Sequence, residues 1–455
     1  MNNAPLYDAL ASKAREPVLR FHMPGHMGKT PFSGFSDPFS LDFTETYGTG
    51  NLYQNNEPIL SAEQEAAAYF GAKECFFMTN GSTGGILAAL AAAFGTGGEI
   101  IVDRCCHQAL CTGLALLDIQ PRFVYPAMHQ TVRGRLCPEE IDAALAAAPH
   151  AKGVFLTSPN YYGVLQDVAA IARICRRYGK LLVVDEAHGA HFPAVGVPNA
   201  MQQGADLAVV SAHKTMPALG QSAFLLSNGR IPAGTILRYL AMFQTSSPSY
   251  VLLASLDRAR AFLCGEGGQT YRCTADAVPQ LRERIVQHTP FTPLLPSETL
   301  PLDPCRLTVS AADTNLTGYA LADTLYHAHG IACEMADALH TVFIITCMHT
   351  PSELHRLFSA LSAIHPAPAP LPLCPLPAAK ELGSTFFTTI RQALFSPSVS
   401  IPYTAACGRI CARPVVPYPP GVPLLYPGEK FLTKHIEYIR NFCYNLAGEV
   451  QVLPE

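Results

Sequence analysis

Charge is scarce in this chain and nowhere concentrated. Charged residues make up 15% of its 455 positions, and 31 basic against 35 acidic side chains leave a formal net charge of −4. Surfaces that grip nucleic acid or anionic membranes gather Lys and Arg into runs, so neither partner is expected. Long apolar runs are also missing. The longest, near Ile86–Phe94, is about half of what a bilayer-spanning helix needs, and no basic segment followed by an apolar one opens the chain, so no signal peptide is expected. The 15 cysteines form an odd set without CxxC spacing, which argues against a disulfide framework and for a reducing, cytoplasmic setting. Cys105–Cys106 and the Cys407/Cys411 pair lack zinc-site partners and read as reduced packing residues. No internal repeat is present. What the chain has in quantity is apolar side chain, 49%, enough for a large core and, at this length, for two or three domains.

The organising stretch is Leu207–Val210 followed by SAHKT, with Lys214 at its centre. A second apolar run, Leu181–Val184, ends in Asp185, 29 residues earlier. Open α/β sheets bind ligands at the carboxyl ends of their strands, and both side chains would face that crevice. Pyridoxal phosphate (PLP) chemistry needs this pair: a lysine amine for the Schiff base and a carboxylate to keep the pyridine nitrogen protonated. A phosphate cradle is the third requirement. NGSTGG, from Asn80 to Gly85, opens a helix whose free N–H groups and dipole favour an anion, with the Ser82 and Thr83 hydroxyls as further donors.

In chain order, Leu6–Arg15 reads as a short helix. RFHMPGHMGKT, from Arg20, reads as a loop; a Pro-Gly turn separates its two histidines and no carboxylate stands at helical spacing, so no metal is expected. The polar, aromatic stretch from Asp42 to Pro58 is long for a structureless loop and therefore a functional candidate. A helix capped by Ser61 and closed by Gly71 follows, then a strand, Glu74–Asn80, into the phosphate loop. Strand and helix then alternate: strands at 99–103, 122–126, 153–159, 181–185, 207–210 and 221–227, and helices at 104–117, with His107 in the first turn, 138–148 and 167–179. This rhythm indicates a largely parallel sheet covered on both faces. Two helical pieces flank SSPSY, the first stopping at Ser247, and GEGG at 265–268 reads as a turn. A smaller unit restarts near residue 300: a strand from Arg306, a helix at 317–329, a strand from Thr341, and a helix opened by a capping box at Thr350. A proline-rich linker follows His365. Helices are expected at 381–394 and 431–447, with an extended, proline-punctuated segment between them.

These residues also carry a resemblance. RFHMPGH, DFTETYGTGNLY, FFMTNGST, SPNYYG, VVDEAHGAHF, SAHKT, TSSPSY and GRICARPVVPYPPGVPLLYPGE span residues 20–429, and with them the chain resembles the Orn/Lys/Arg decarboxylase family, in its short form without an additional N-terminal domain. The resemblance implies an α/β fold of PLP fold type I: a mostly parallel seven-stranded sheet with helices on both faces, plus smaller α+β C-terminal domains. The expected division is 1–58 N-terminal segment and interface loop, 59–290 PLP-binding domain, 291–365 small domain, 366–380 linker and 381–455 C-terminal domain. It implies PLP-dependent decarboxylation of arginine, lysine or ornithine. It also implies a homodimer with active sites at the interface, for which the Asp42–Glu57 loop and SSPSY are the crossing candidates.

Roles follow from the same resemblance. Lys214 would bind PLP and Asp185 would pair with its ring nitrogen. His107 would stack on one ring face and Ala187 on the other, with His188 near the ring hydroxyl. Gly81, Ser82, Thr83, Ser211 and His213 would serve the phosphate, and Lys214 or His213 would return a proton to Cα. The chain departs from the family pattern at Met27, at Gly50–Asn51 and at Arg413. A distal ammonium or guanidinium needs a carboxylate; Glu45, Glu57 and Glu429 are the candidates, and Arg413 belongs to the same substrate region. Aminotransferases of this fold hold the substrate carboxylate with an arginine near the C-terminus. Arg409 and Arg413 therefore leave an aminotransferase or lyase open on the residues alone, and the resemblance favours decarboxylation.

Overall fold

The computed structural model describes residues 12–455 apart from 31–36, 55, 130, 368–377, 379, 384, 418–420 and 444–447. Seven strands form the central sheet: β1 (Glu74–Met78), β2 (Glu99–Asp103), β3 (Gln120–Val124), β4 (Gly153–Thr157), β5 (Leu181–Asp185), β6 (Leu207–Val210) and β7 (Ala223–Ser227). Their order is β1-β7-β6-β5-β4-β2-β3. β7 runs antiparallel to β1 and β6, and the other neighbours are parallel. This is the mostly parallel seven-stranded sheet that the sequence implied.

The sequence forces both faces to be covered. Every residue of β4 and β7 is buried. Successive strand residues point to opposite faces: Val183, Val209 and Leu225 enter one core with Ile86 and Leu90, while Val184, Val210 and Phe224 enter the other with Phe70 and Leu156. Helices α1 (Ile59–Phe70), α2 (Gly81–Phe94) and α3 (Gln108–Leu117) bring these layers to the strand ends. α1 begins after Pro58 rather than at Ser61, whose hydroxyl donates to Glu57 Oε2 (2.5 Å). Gly71, at φ 65°, closes it as expected. α3 is four residues shorter than expected, because His107 stands outside it as the cap: its ring accepts the Ala109 N–H.

Tyr250–Cys264 and Glu266–His288 form a helix pair joined at Gly265. The expected GEGG turn is thus mostly the first turn of a 23-residue helix. Its glycines serve close approach: a Cβ at Gly267 would lie 2.3 Å from Phe262, and one at Gly268 2.2 Å from the Leu263 oxygen. The helix before SSPSY ends at Phe243, not Ser247, since Gln244 is extended and its side chain accepts the Thr79 N–H.

The smaller unit holds a four-stranded antiparallel sheet of Thr292–Pro293, Arg306–Ser310, His340–Ile344 and Met335–Ala336. Helices Gly318–His329 and Pro351–Ala363 cover it, the second opened by the expected Thr350–Glu353 capping box. Leu19–Phe21 pairs in parallel with Ile331–Cys333 and ties the N-terminal segment to this unit. Beyond it, the expected helix over 381–394 shrinks to Ile390–Phe395, because Thr389 and Gln392 form a capping box there. The last helix is Thr433–Phe442. Val399–Pro402 and Glu449–Val452 pair as strands that sequence reading missed. The Leu6–Arg15 helix, the proline-rich linker and the end of the last helix fall largely outside the described residues. Every described cysteine is free, and no helix among the described residues is long and apolar enough to cross a membrane.

Glu63 of α1 is buried against β1, accepting the Phe77 N–H at 2.7 Å. Burial pushes its carboxyl up to about 8. The folded state therefore favours the protonated form, while the unfolded carboxyl ionises near its ordinary value. Stability from this group is full in acid and falls as pH rises from about 4.5 through 8, by a few kcal/mol at most. Glu63→Gln should flatten that fall in denaturant unfolding measured from pH 5 to 9; an unchanged slope would contradict the assignment.

Candidate active site

β5 and β6 lie side by side, with Asp185 paired to Val209. Asp185 closes β5, and Lys214 sits in a short helical turn, Ala212–Thr215, just past β6. The turn is clamped from outside. The Gly25 N–H donates to the His213 carbonyl (2.7 Å), and Tyr271 donates to the Thr215 carbonyl (3.0 Å). Gly25 is needed there, since a Cβ would stand 2.5 Å from the Met216 oxygen. The HMPGH loop thus packs on the lysine turn; His22 and His26 spend ring nitrogens on neighbouring backbone.

A cavity of about 420 Å³ opens at these strand ends. It gathers Gly81, Ser82, Thr83, His107, Asp185, Ala187, His188, His213 and Lys214, drawn from four separate segments. Lys214 Nζ lies 3.1 Å from His188 Nε2, and Arg306 Nη2 lies 2.9 Å from His188 Nδ1. Burial lowers the Lys214 amine, against the pull of Asp185. Burial raises Asp185, opposed by Lys214. His107 is pushed down to about 4 by burial and by the Lys214 charge. His188 falls well below its ordinary value for the same two reasons, with Arg306 adding to them, and His213 is lowered by burial. His213 Nδ1 bonds the Ser222 carbonyl (3.0 Å), so its proton sits on that nitrogen.

One end of the cavity suits an anion. Gly81 takes φ 64°, and Asn80, at the N-cap of α2, makes no capping bond; its side chain donates to the Phe243 carbonyl instead. The Gly81 N–H donates to the Gln221 carbonyl (2.7 Å), which leaves the Ser82 and Thr83 amides of the first turn for a ligand. Ser211 is wholly buried with an unpartnered Oγ, though it is not among the lining residues. An anion cradle, a lysine amine within the field of a carboxylate and imidazole rings, all lining one cavity, fit the donor set a PLP molecule requires.

The four residues expected around the substrate are not brought into this cavity. Glu45 is half-buried and bonded by the Thr44 hydroxyl, and Glu57 bonds Ser61. Arg413 donates to the Ala393, Ala412 and Ser396 carbonyls. Glu429 is a structural residue: its carboxylate meets Arg104 (3.2 Å) and accepts the Tyr426 N–H (2.7 Å). Sequence reading gave no role to Thr157, Asn160, Tyr161 or Gln221, which line the cavity, nor to Arg306 and Glu334 behind it. Tyr161 donates to Glu334 Oε1 (2.5 Å), and Met23 N–H to Oε2 (2.9 Å). The SPNYYG motif signalled Tyr161; nothing local signalled Arg306 or Glu334, which come from the small sheet unit.

A sheet of this order, with a lysine and an aspartate on adjacent strand ends, defines a fold-type-I α/β enzyme. In comparisons with solved structures the fold is similar to the constitutive lysine decarboxylase of Escherichia coli (TM-score 0.77, 19% identity, 99% of this chain and 82% of that one). It is also similar to an alanine–glyoxylate aminotransferase from Nostoc sp. (TM-score 0.58, 17% identity, 76% of this chain and 96% of that one). The family model described as Orn/Lys/Arg decarboxylase, major domain, matches residues 4–299, and its C-terminal domain model matches 389–447. The chain belongs to the Orn/Lys/Arg decarboxylase family. An arginine decarboxylase of Bacillus subtilis is 31% identical over 96% of this chain and 93% of its own length. The constitutive lysine decarboxylase of Escherichia coli is 23% identical over 99% and 78%. The chain is accordingly a decarboxylase, a carboxy-lyase of basic amino acids in a PLP-dependent family.

The C-terminal motif is pinned next to the site. Arg104, three residues before His107, donates to the Pro423 (2.7 Å) and Leu424 (2.8 Å) carbonyls, stacks on Phe123 and Tyr426, and pairs with Glu429. Both charges are buried. Glu429→Gln leaves the guanidinium without its counter-charge, so stability should fall by about 3–5 kcal/mol, read as a lower denaturant midpoint. A change under about 0.5 kcal/mol would contradict the role given to the pair.

Proposed function

We propose that the chain binds PLP in this cavity through Lys214 and decarboxylates arginine to agmatine and CO2. The observation that carries the site reading is the convergence of Lys214, Asp185, His107 and the uncapped α2 terminus on one cavity of suitable size. The substrate reading is supported by near-full-length likeness to proteins named arginine decarboxylase at 29–31% identity, against 21–23% for those named lysine decarboxylase that are matched over nearly the whole chain.

When bound, the cofactor supplies the electron-accepting ring that takes up the pair left as the Cα–carboxylate bond breaks. The residues do the rest. The α2 amides with Ser82 and Thr83 hold the phosphate. Asp185, with one oxygen already accepting the Ala187 N–H (3.1 Å), would supply the negative charge that pairs with a protonated ring nitrogen. His107 is kept neutral and fixed by its bond to the Ala109 N–H (3.2 Å), so it offers a flat, uncharged face. Lys214 would take up the proton that the substrate amine gives up and return it to Cα once CO2 has left; His213 could serve only after its Nε2 gains a proton, since the Nδ1 proton stays with the Ser222 carbonyl. Among the described lining residues Asp185 is the sole carboxylate, and it is committed. The distal guanidinium would therefore be met by a second copy, whose Asp42–Glu57 loop carries Glu45. Phe39, Phe43 and Tyr47, all exposed, supply apolar surface for that contact.

Three tests follow. Release of labelled CO2 from arginine, lysine and ornithine should show the highest kcat/KM with arginine; preference for lysine or ornithine would overturn the substrate reading. Lys214→Ala should abolish turnover, and Asp185→Asn should lower kcat by about 10²–10⁴-fold. Glu45→Gln should raise KM for arginine about tenfold or more with kcat nearly unchanged, in a protein that sediments as a dimer; an unaltered KM removes Glu45 from recognition.

A further inference from the structure

Arg306 enters the small sheet unit at the start of a strand, yet its side chain reaches the site. It is 2% exposed. Gly163, at φ 91°, makes room for it: a Cβ there would lie 2.6 Å from both Arg306 Cβ and Cγ. Its Nη2 lies 2.9 Å from His188 Nδ1, while its Nε and Nη1 are buried without a partner. His188 in turn places Nε2 3.1 Å from Lys214 Nζ.

Donor inventory fixes the protons along this line. A guanidinium only donates, so His188 Nδ1 must accept. Neutral imidazole carries one proton, which then sits on Nε2 and points at Lys214. A proton there can be shared only with a lone pair, so Lys214 must present an uncharged amine. An ammonium at Lys214 would need both ring nitrogens to be acceptors, a state neutral histidine does not have.

We propose that Arg306 is a positioning residue: by donating to His188 Nδ1 it fixes the Nε2–H tautomer and thereby holds Lys214 as a neutral amine. A neutral amine is the form that attacks a carbonyl carbon and that can take up a proton. The proposal rests on the reading of Lys214 above. Its readouts need no bound cofactor, so failure here is separate from failure of that reading, which shows as absence of CO2 release. The charged and titratable groups facing Lys214 are Asp185, Glu334, Arg306, His188, His107 and His213. The two carboxylates favour its charge, and Arg306 opposes it directly as well as through His188. The test must therefore separate charge from tautomer.

The experiment uses the full-length chain freed of cofactor. Nitrogen-15 NMR of labelled histidine, with His188 assigned by its loss in His188→Gln, reads the tautomer. Competitive acetylation from pH 6 to 10, quantified by mass spectrometry on the peptide bearing Lys214, reads the amine. The wild-type chain and Arg306→Lys, which keeps both the charge and a pure donor, should show Nε2–H. Arg306→Leu should lose that preference and shift the Lys214 midpoint upward by about one pH unit or more. A wild-type chain with the proton on Nδ1 would overturn the proposal without any variant having to fold. So would an Arg306→Leu protein that keeps Nε2–H, since any Lys214 shift would then be charge alone, or one whose Lys214 midpoint does not move.

Discussion

A lysine amine and an aspartate carboxylate, drawn away from bulk water onto adjacent strand ends, are the constraint on which this molecule turns. Each is costly to isolate and each lowers the cost of the other. Asp185 is held by the register of β5 against β6, and Lys214 by a turn gripped from the N-terminal loop and from Tyr271. That grip keeps the amine from swinging into solvent, where it would be an ordinary ammonium. The histidine rings around it stay neutral, because each added positive charge would crowd the same cavity.

The remaining units are arranged so as to reach this point. The small sheet sends in Arg306, and Glu334 behind Tyr161. The C-terminal motif reaches the cavity edge through Val422 and is anchored by the buried Arg104–Glu429 pair. Gly421 accepts the Gln108 N–H at the first residue of α3 (2.9 Å). The segment holding His107 is therefore tied to the C-terminal motif at both Arg104 and Gln108.

Much of this was legible beforehand wherever a short stretch carries its own physical signal. The apolar runs before Asp185 and Lys214, the glycine-rich opening of α2 and the capping box at Thr350 all kept their expected place. Legibility failed where the deciding contact is distant. Gly267 and Gly268 look like a turn, yet their use is to let a helix approach Phe262 and Leu263. Glu429 looked like a free carboxylate for substrate, but Arg104, 325 residues away, claims it. Thr389 and Gln392 cap a helix that starts nine residues after the expected place, and Val399–Pro402 finds a partner strand only through the fold.

By itself the sequence determined the alternation of strand and helix and the strand ends and glycine-rich turn that meet at one cavity, because hydrophobic period, glycine and capping chemistry act within a few residues. The tertiary structure alone decided the protonation of that site. Whether Lys214 is an ammonium or an amine depends on His188, whose proton depends on Arg306 from another unit, and on burial that no linear pattern records.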